Sequence, residues 1–229
     1  MLPQDKENAL LKLGAKSVVF LDFEKVKDIS AEDFLNYLKE TYNPDLICCG
    51  FDFRFGKNAS GNTSTIEKFC NQNNMECMVA PPVLKNGKPI SSTNIRELIK
   101  CGKIEEANEQ IFGGFGFTSA VIHGDARGRT IGFPTVNQEY PADLVLPKFG
   151  VYSSNIIIEN ITYKCITNIG IRPTFETEKV YCESHILDFN TDIYGKSVTL
   201  KPQKFIRCER KFNSLKELTN AIKKDITKI

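Results

Sequence analysis

The rhythm of apolar and polar positions changes once along this chain. In the first half, short apolar runs alternate with segments whose apolar residues recur every three or four positions. Ser17-Val18-Val19-Phe20-Leu21 predicts a buried strand. Ser30, Ala31, Glu32 and Asp33 open a helix, with serine as N-cap and an acid three residues later, and Phe34, Leu35 and Leu38 form its apolar stripe. Leu46–Cys49 reads as a second strand, Gly50 to Gly61 as a loop, Ser64–Glu67 as the start of another helix and Met75–Ala80 as a third strand. Strand–helix alternation of this kind predicts a mostly parallel α/β layer.

From Ile90 the period is helical through Ile111, and at Gly113-Gly114-Phe115-Gly116 the texture changes. We therefore divide the chain into residues 1–112 and 113–229. Beyond the border, Phe117 to Arg207 is rich in β-branched and aromatic residues with turn signals at short intervals. Tyr152–Ile158 and Ile161–Ile169, joined by Glu159-Asn160, predict a hairpin, and Glu183–Phe189 and Ser197–Arg207 predict strands on either side of Tyr194-Gly195. The expectation is an antiparallel barrel or sandwich. Ser214 to Glu217 is a capping box that opens a terminal amphipathic helix, with Leu215, Leu218, Ile222 and Ile226 on one face.

Composition narrows the function classes. With 41% hydrophobic and 25% charged residues the chain has a globular composition. Its formal charge of +2 gives no reason to expect nucleic acid or a membrane surface as partner, so any phosphate site must be local. The polar N-terminus lacks a signal-peptide core, and no apolar run approaches the roughly 18 residues of a membrane span. Eight scattered cysteines with no C-x-x-C pair, and only His123 and His185, argue against a Cys/His metal centre. Reduced, mostly buried thiols in a cytoplasmic protein are expected.

The chemistry concentrates between His123 and Asn137. Gly124, Gly128 and Gly132 with Arg127 and Arg129 suit close backbone approach to anionic oxygens, with guanidinium forks at hand. Thr135 and Asn137 alternate on an extended segment, so both side chains can face one point, and a hydroxyl with an amide oxygen makes a hard ligand pair suited to Mg²⁺. The same residues also fit a Gly/Arg surface loop ending in a proline turn.

This stretch closely resembles the glycine–arginine signature of riboflavin kinases that ends in F-P-T-A-N. Ala126 stands where glycine is common, with mild loop strain if a positive φ is needed there, and Val136 replaces the usual alanine. Further matches follow in order: Gly150-Val151-Tyr152, Asn168 to Phe175, Glu183 to Phe189, Tyr194-Gly195 and Arg207 to Phe212. The resemblance implies ATP-dependent phosphorylation of riboflavin to FMN. By position it implies Glu183 as general base, Thr135 and Asn137 at the metal, and Gly124, Arg127, Gly128, Arg129, Gly132 and Thr135 at ATP. Arg207 and Glu209 fall in the family's flavin-proximal stretch, where a structural Arg–Glu pair is the alternative. His185 shares a strand face with Glu183 and reads as a packed or solvent-facing histidine.

In the first half, Gly50 to Lys57, including Asp52 and Phe53, and Ile90 to Arg96, including Ser91, Ser92, Thr93 and Arg96, resemble two motifs of the FAD synthetase (FMN adenylyltransferase) module of bifunctional bacterial enzymes. Ser91, Ser92 and Thr93 sit at a helix start that favours phosphate, or form a plain N-cap cluster. The aromatic residues around Asp52 can hold an isoalloxazine ring or pack under the loop. The family opens with a strand bearing G-x-F-D-G-x-H-x-G-H, whereas no histidine precedes His123 here. The expectation is a truncated module with FMN adenylyltransferase activity in doubt, whether as a fragment, a mis-started frame or a real loss. The fold expected overall is an α/β nucleotidyltransferase-like (Rossmann-like) partial domain, then an all-β Greek-key barrel with a C-terminal helix. Riboflavin, FMN and ATP are the expected partners. The competing readings are a full bifunctional enzyme, a flavin or nucleotide sensor and a single-strand-binding barrel. A base beside a metal site separates the kinase from the sensor, and the near-zero net charge disfavours the single-strand-binding barrel.

Overall fold

The computed structural model describes residues 1–124, 127–173 and 178–229, with backbone alone for Arg127, Arg172, Pro173 and Glu178. Ala126, Thr174 and Phe175, and the Arg127 side chain expected at ATP, lie outside the described residues. In chain order the helices are α1 (Pro3–Lys12), α2 (Phe23–Val26), α3 (Ala31–Tyr42), α4 (Thr63–Gln72), α5 (Ser92–Lys100), α6 (Ile104–Asn108), α7 (Arg127–Thr130) and α8 (Leu215–Ile226). The strands are β1 (Leu46–Gly50), β2 (Glu76–Ala80), β3 (Leu84–Lys85), β4 (Lys88–Pro89), β5 (Phe117–Ala120), β6 (Val136–Glu139), β7 (Gly150–Ile158), β8 (Ile161–Pro173), β9 (Glu178–Ile186) and β10 (Ser197–Arg207). Packing groups them into two units, Ser17–Ile90 and Met1–Lys16 with Ser91–Ile229.

In the smaller unit, β1 and β2 pair in parallel with α4 as the crossover, as the alternating pattern predicts. Ser30 caps α3 by accepting from the Asp33 amide at 3.0 Å. The α4 cap lies earlier than expected, at Asn62, which forms a reciprocal box with Thr65. Leu35, Phe55, Ile66, Phe69 and Cys70 form the core. The strand expected at Ser17–Leu21 does not form: the segment carries no ladder, and Val19 and Phe20 are exposed. Apolar character alone does not make a strand. A strand exists only where a neighbour takes up its backbone groups, and among the described residues none pairs with this one.

In the larger unit, one six-stranded sheet runs in the order β5-β10-β7-β8-β9-β6. A bridge between Ile122 and Asn137, with the Ile122 amide donating to the Asn137 carbonyl at 2.8 Å, joins its two ends into a barrel. The β7–β8–β9 meander followed by the return of β10 to β7 gives Greek-key connectivity. The β7–β8 turn is Glu159-Asn160, both at positive φ (50° and 68°), the geometry whose twist matches a tight hairpin. Phe117, Tyr152, Ile156, Ile169, Val198 and Leu200 fill the barrel, and Ile99, Ile104 and Ala107 of α5 and α6 belong to the same core. The helical stretch after Ile90 is thus two helices, broken at Gly102 with φ +78°.

Candidate functional site

One transverse row of the barrel collects most of the residues singled out from sequence. Asn137 on β6 lies opposite Glu183 on β9, Glu183 opposite Asn168 on β8, Asn168 opposite Val151 on β7, and Val151 opposite Arg207 on β10. Side chains of one such row point to the same face of the sheet. Here that is the outer face, because Cys182 and Ser184, the neighbours of Glu183, are buried in the barrel wall. A cavity of about 550 Å³ lies over the row, between the sheet, α7 with the segment to Thr135, and α8. Its walls mix Val151, Ile166, Phe133 and Phe212 with Glu183, His185 and Asn168. The apolar stripe of α8 lines it through Leu215, Leu218 and Ile222, which explains why Leu215 is 67% exposed although it belongs to the amphipathic face.

A second cavity of about 360 Å³ sits beside the first, lined by Arg129, Pro134, Asn190, Thr191, Asp192 and Tyr194 among others. Thr135 lines both cavities, so its side chain stands at their partition. Next to Tyr194, the His123 ring stacks at 3.9 Å.

Local sequence explains how the loop and the row meet. Asn137 is 3% exposed and its amide lies against Gly124, where any Cβ would collide with it. Glycine at 124 therefore serves close packing on Asn137 rather than conformational freedom. Gly132 is different: its φ of +82° is one that other residues rarely adopt, and it ends the α7 turn before Phe133-Pro134-Thr135. Arg129 is exposed at the second cavity, and Gly128 lines the first. The His185 Nδ1 meets the Pro134 carbonyl at 2.8 Å, and the His185 ring stands edge-on to Phe133 at 5.2 Å.

Arg207 and Glu209 both line the larger cavity but do not pair with each other. Arg207 donates from Nε to Asp225 Oδ2 of α8 at 2.9 Å, and its Nη2 lies 2.9 Å from the same oxygen. Glu209 instead accepts from Asn168 Nδ2 at 2.9 Å and lies over Gly170, where a Cβ would strike its carboxylate. Asp225 and Asn168 were not singled out as site residues from sequence. A lone acid on the buried side of an amphipathic helix was the available signal for Asp225, and the alternation of Asn168 with Gly170 for the cradle under Glu209.

The first-half motif residues fall into both units. Asp52 and Phe53 are exposed after β1 in the smaller one, where Phe53 stacks on the buried Phe55 at 5.6 Å. Ser91 caps α5 by accepting from the Asn94 amide at 3.2 Å, and Thr93 is exposed. Ser92 and Arg96 line a cavity of about 350 Å³ in the larger unit, together with Asp143 and Phe115.

Known proteins match both parts of the chain. A family model for riboflavin kinase matches residues 114–229, and one for FAD synthetase matches residues 1–94. The bifunctional riboflavin kinase/FMN adenylyltransferase of Bacillus subtilis is 34% identical over 226 residues, covering 97% of this chain and 71% of that protein. That of Escherichia coli K12 is 29% identical over 225 residues, covering 97% and 72%. A crystal structure of a Streptococcus pneumoniae protein described as a macrolide-efflux protein superposes with a TM-score of 0.88 at 31% identity, covering 99% of this chain and 74% of that one. Among the described residues no helix is long and apolar enough to cross a membrane. The barrel with its outer-face cavity is a riboflavin kinase domain, of a class of phosphotransferases that use ATP. The chain belongs to the family of bifunctional riboflavin kinase/FMN adenylyltransferases.

Proposed function

We propose that the chain transfers the ATP γ-phosphoryl group to the 5′-hydroxyl of riboflavin, with the flavin in the larger cavity and the nucleotide in the smaller. The observation that carries this arrangement is the position of Thr135, which lines both cavities while Glu183 lines only the larger. A primary alcohol held in the larger cavity shares it with both the Glu183 carboxylate and the Thr135 side chain. In this reading Glu183 accepts the hydroxyl proton as the oxygen attacks phosphorus, and ADP leaves into the smaller cavity. Arg129, which lines the smaller cavity, meets the phosphates there. The apolar walls and α8 hold the isoalloxazine ring, with Arg207 and Glu209 at its edge.

Thr135 and Asn137 would hold Mg²⁺. Among the described residues no cluster of three or more His, Cys, Asp or Glu side chains forms a metal cage. That fits a cation whose remaining oxygens come from phosphates and water, held by a hydroxyl and an amide. The ion would neutralise charge on the phosphoryl oxygens; the proton at the attacking oxygen is the business of Glu183.

The module border at 112/113 and a cytoplasmic setting belong to the same reading, the latter supported by eight free thiols. Near-neutral net charge supports small-molecule partners over nucleic acid. The test is incubation with riboflavin and ATP, with and without Mg²⁺, and chromatographic separation of riboflavin, FMN and FAD. FMN formed only with ATP and metal is expected. No FMN from folded protein would overturn the proposal.

A further inference from the structure

We infer that His185 is a positioning residue for the phosphoryl-transfer partition, acting as the Nδ1–H tautomer through its bond to Pro134; this rests on the kinase reading above. The backbone ladder between β6 and β9 ends at Val136 opposite Ser184. Just before β6 comes Thr135, the residue shared by both cavities, and before it Pro134. There the ladder is continued by a side chain: His185 Nδ1 lies 2.8 Å from the Pro134 carbonyl. A carbonyl oxygen only accepts, so Nδ1 must carry the hydrogen, and neutral His185 keeps Nε2 unprotonated. Phe133, edge-on to the ring at 5.2 Å and 79°, restrains the same segment from its other end.

The consequence is geometric. Glu183 and His185 are two residues apart on one strand and share its outer face. The bond from His185 therefore ties the segment bearing Thr135 to the strand bearing Glu183. Thr135 is held from its C-terminal side by the ladder and from its N-terminal side by His185. A merely packed histidine would need ring volume and no particular nitrogen. A positioning histidine needs a donor at Nδ1, and asparagine places its amide N–H near that point, whereas glutamine places its own near Nε2.

The experiment compares H185N, H185Q and H185A in FMN formation, with thermal unfolding of each. A displacement of 1 Å at a reacting group can cost about 10²-fold, so a loss of roughly 10- to 100-fold in kcat is expected for H185Q and H185A. H185N is expected to recover much of that turnover, and riboflavin KM to move far less than kcat. Equal kcat for H185N and H185Q in folded protein would overturn the inference. Independently of any variant's folding, nitrogen NMR of the wild-type imidazole reads the tautomer directly, and a neutral ring protonated at Nε2 would overturn it as well. No FMN from the wild type would overturn the kinase reading and this inference with it. FMN from the wild type with no distinction between the two amides would overturn this inference alone.

Discussion

Asn137 and Glu183 are directly opposed partners across the β6–β9 ladder, one 3% exposed and the other at the wall of a cavity. Cross-strand partners are held to within a fraction of a side-chain length by the ladder itself. The amide and the carboxylate thus keep a fixed relation that no loop has to supply.

Replacing Glu183 by glutamine keeps the shape of that pair and removes the base. We expect turnover to fall by about 10²–10⁴-fold, the usual contribution of a general base. Nucleotide affinity, measured by calorimetry, should stay close to wild type, because Glu183 does not line the smaller cavity. Turnover near wild type would place the base elsewhere.

Gly124 presses on the other member of the pair. In Gly124→Ala the new methyl must displace the Asn137 amide or the loop itself. The expected outcome is a loss in kcat and a raised KM for MgATP with a small change in melting temperature, since Gly124 is outside the core. Steady-state kinetics at varied MgATP checks it. Unchanged kinetics would mean that the loop gives way without consequence for Asn137.

The thiols offer a test of burial independent of catalysis. Cys165 is wholly buried, and desolvation pushes its thiol up to about 12 despite a counteracting hydrogen bond with Thr167. Desolvation also raises Cys70 and Cys182, both buried, whereas Cys48, Cys101 and Cys208 are exposed. A thiol's reactivity follows its thiolate fraction and access. At neutral pH a maleimide reagent should modify Cys48, Cys101 and Cys208 first, with Cys70, Cys165 and Cys182 reacting only on unfolding. Mass spectrometry of peptides from folded and denatured protein decides it. The expectation of mostly buried thiols was too strong: Cys48 lies on the exposed face of β1, Cys101 caps the end of α5 and Cys208 follows the end of β10.

Much of the barrel was legible because its signals are local. The Glu159-Asn160 turn, the alternation along β7, β8 and β10 and the cap at Ser214 each declare themselves within a few residues, whereas the strand expected at Glu183–Phe189 runs instead as β9 over Glu178–Ile186, and the chain turns at Asp188 with φ 53°. The site row was legible only in part. Glu183, Asn137 and Arg207 stood out through a family signature, but their alignment is a matter of strand register, which sequence spacing does not express. Polar side chains inside the barrel were also hidden: Ser154, Thr167, Ser184 and Gln138 are buried, and Thr167 and Ser184 hydroxyls meet at 2.9 Å. Alternation assigns such residues to the solvent face. Ser17–Leu21 failed in the opposite direction, since an apolar run says nothing about whether a partner strand is present.

Asp225 carries the last prediction. Its side chain is 3% exposed, and both Nε and Nη2 of Arg207 point at one of its oxygens at 2.9 Å. Arg207 ends β10 while Asp225 lies in the last turns of α8, so this pair fastens the terminal helix over the outer face of the barrel. Removing one member of a buried pair costs about 3–5 kcal/mol, because the other charge is left without compensation. Arg207 remains 22% exposed and can recover some hydration, which puts Asp225→Ala near the low end, about 3 kcal/mol. The effect should not be confined to stability. Leu215, Leu218 and Ile222 reach the cavity from the same helix, so a loosened α8 opens its wall. In Asp225→Ala we expect both a lower urea midpoint and weaker riboflavin binding, the latter followed by flavin fluorescence. Asp225→Asn keeps one acceptor oxygen for Arg207 and should lie between the two. Unaltered flavin binding in a variant whose urea midpoint has fallen would separate the helix clamp from the cavity and limit Asp225 to stability.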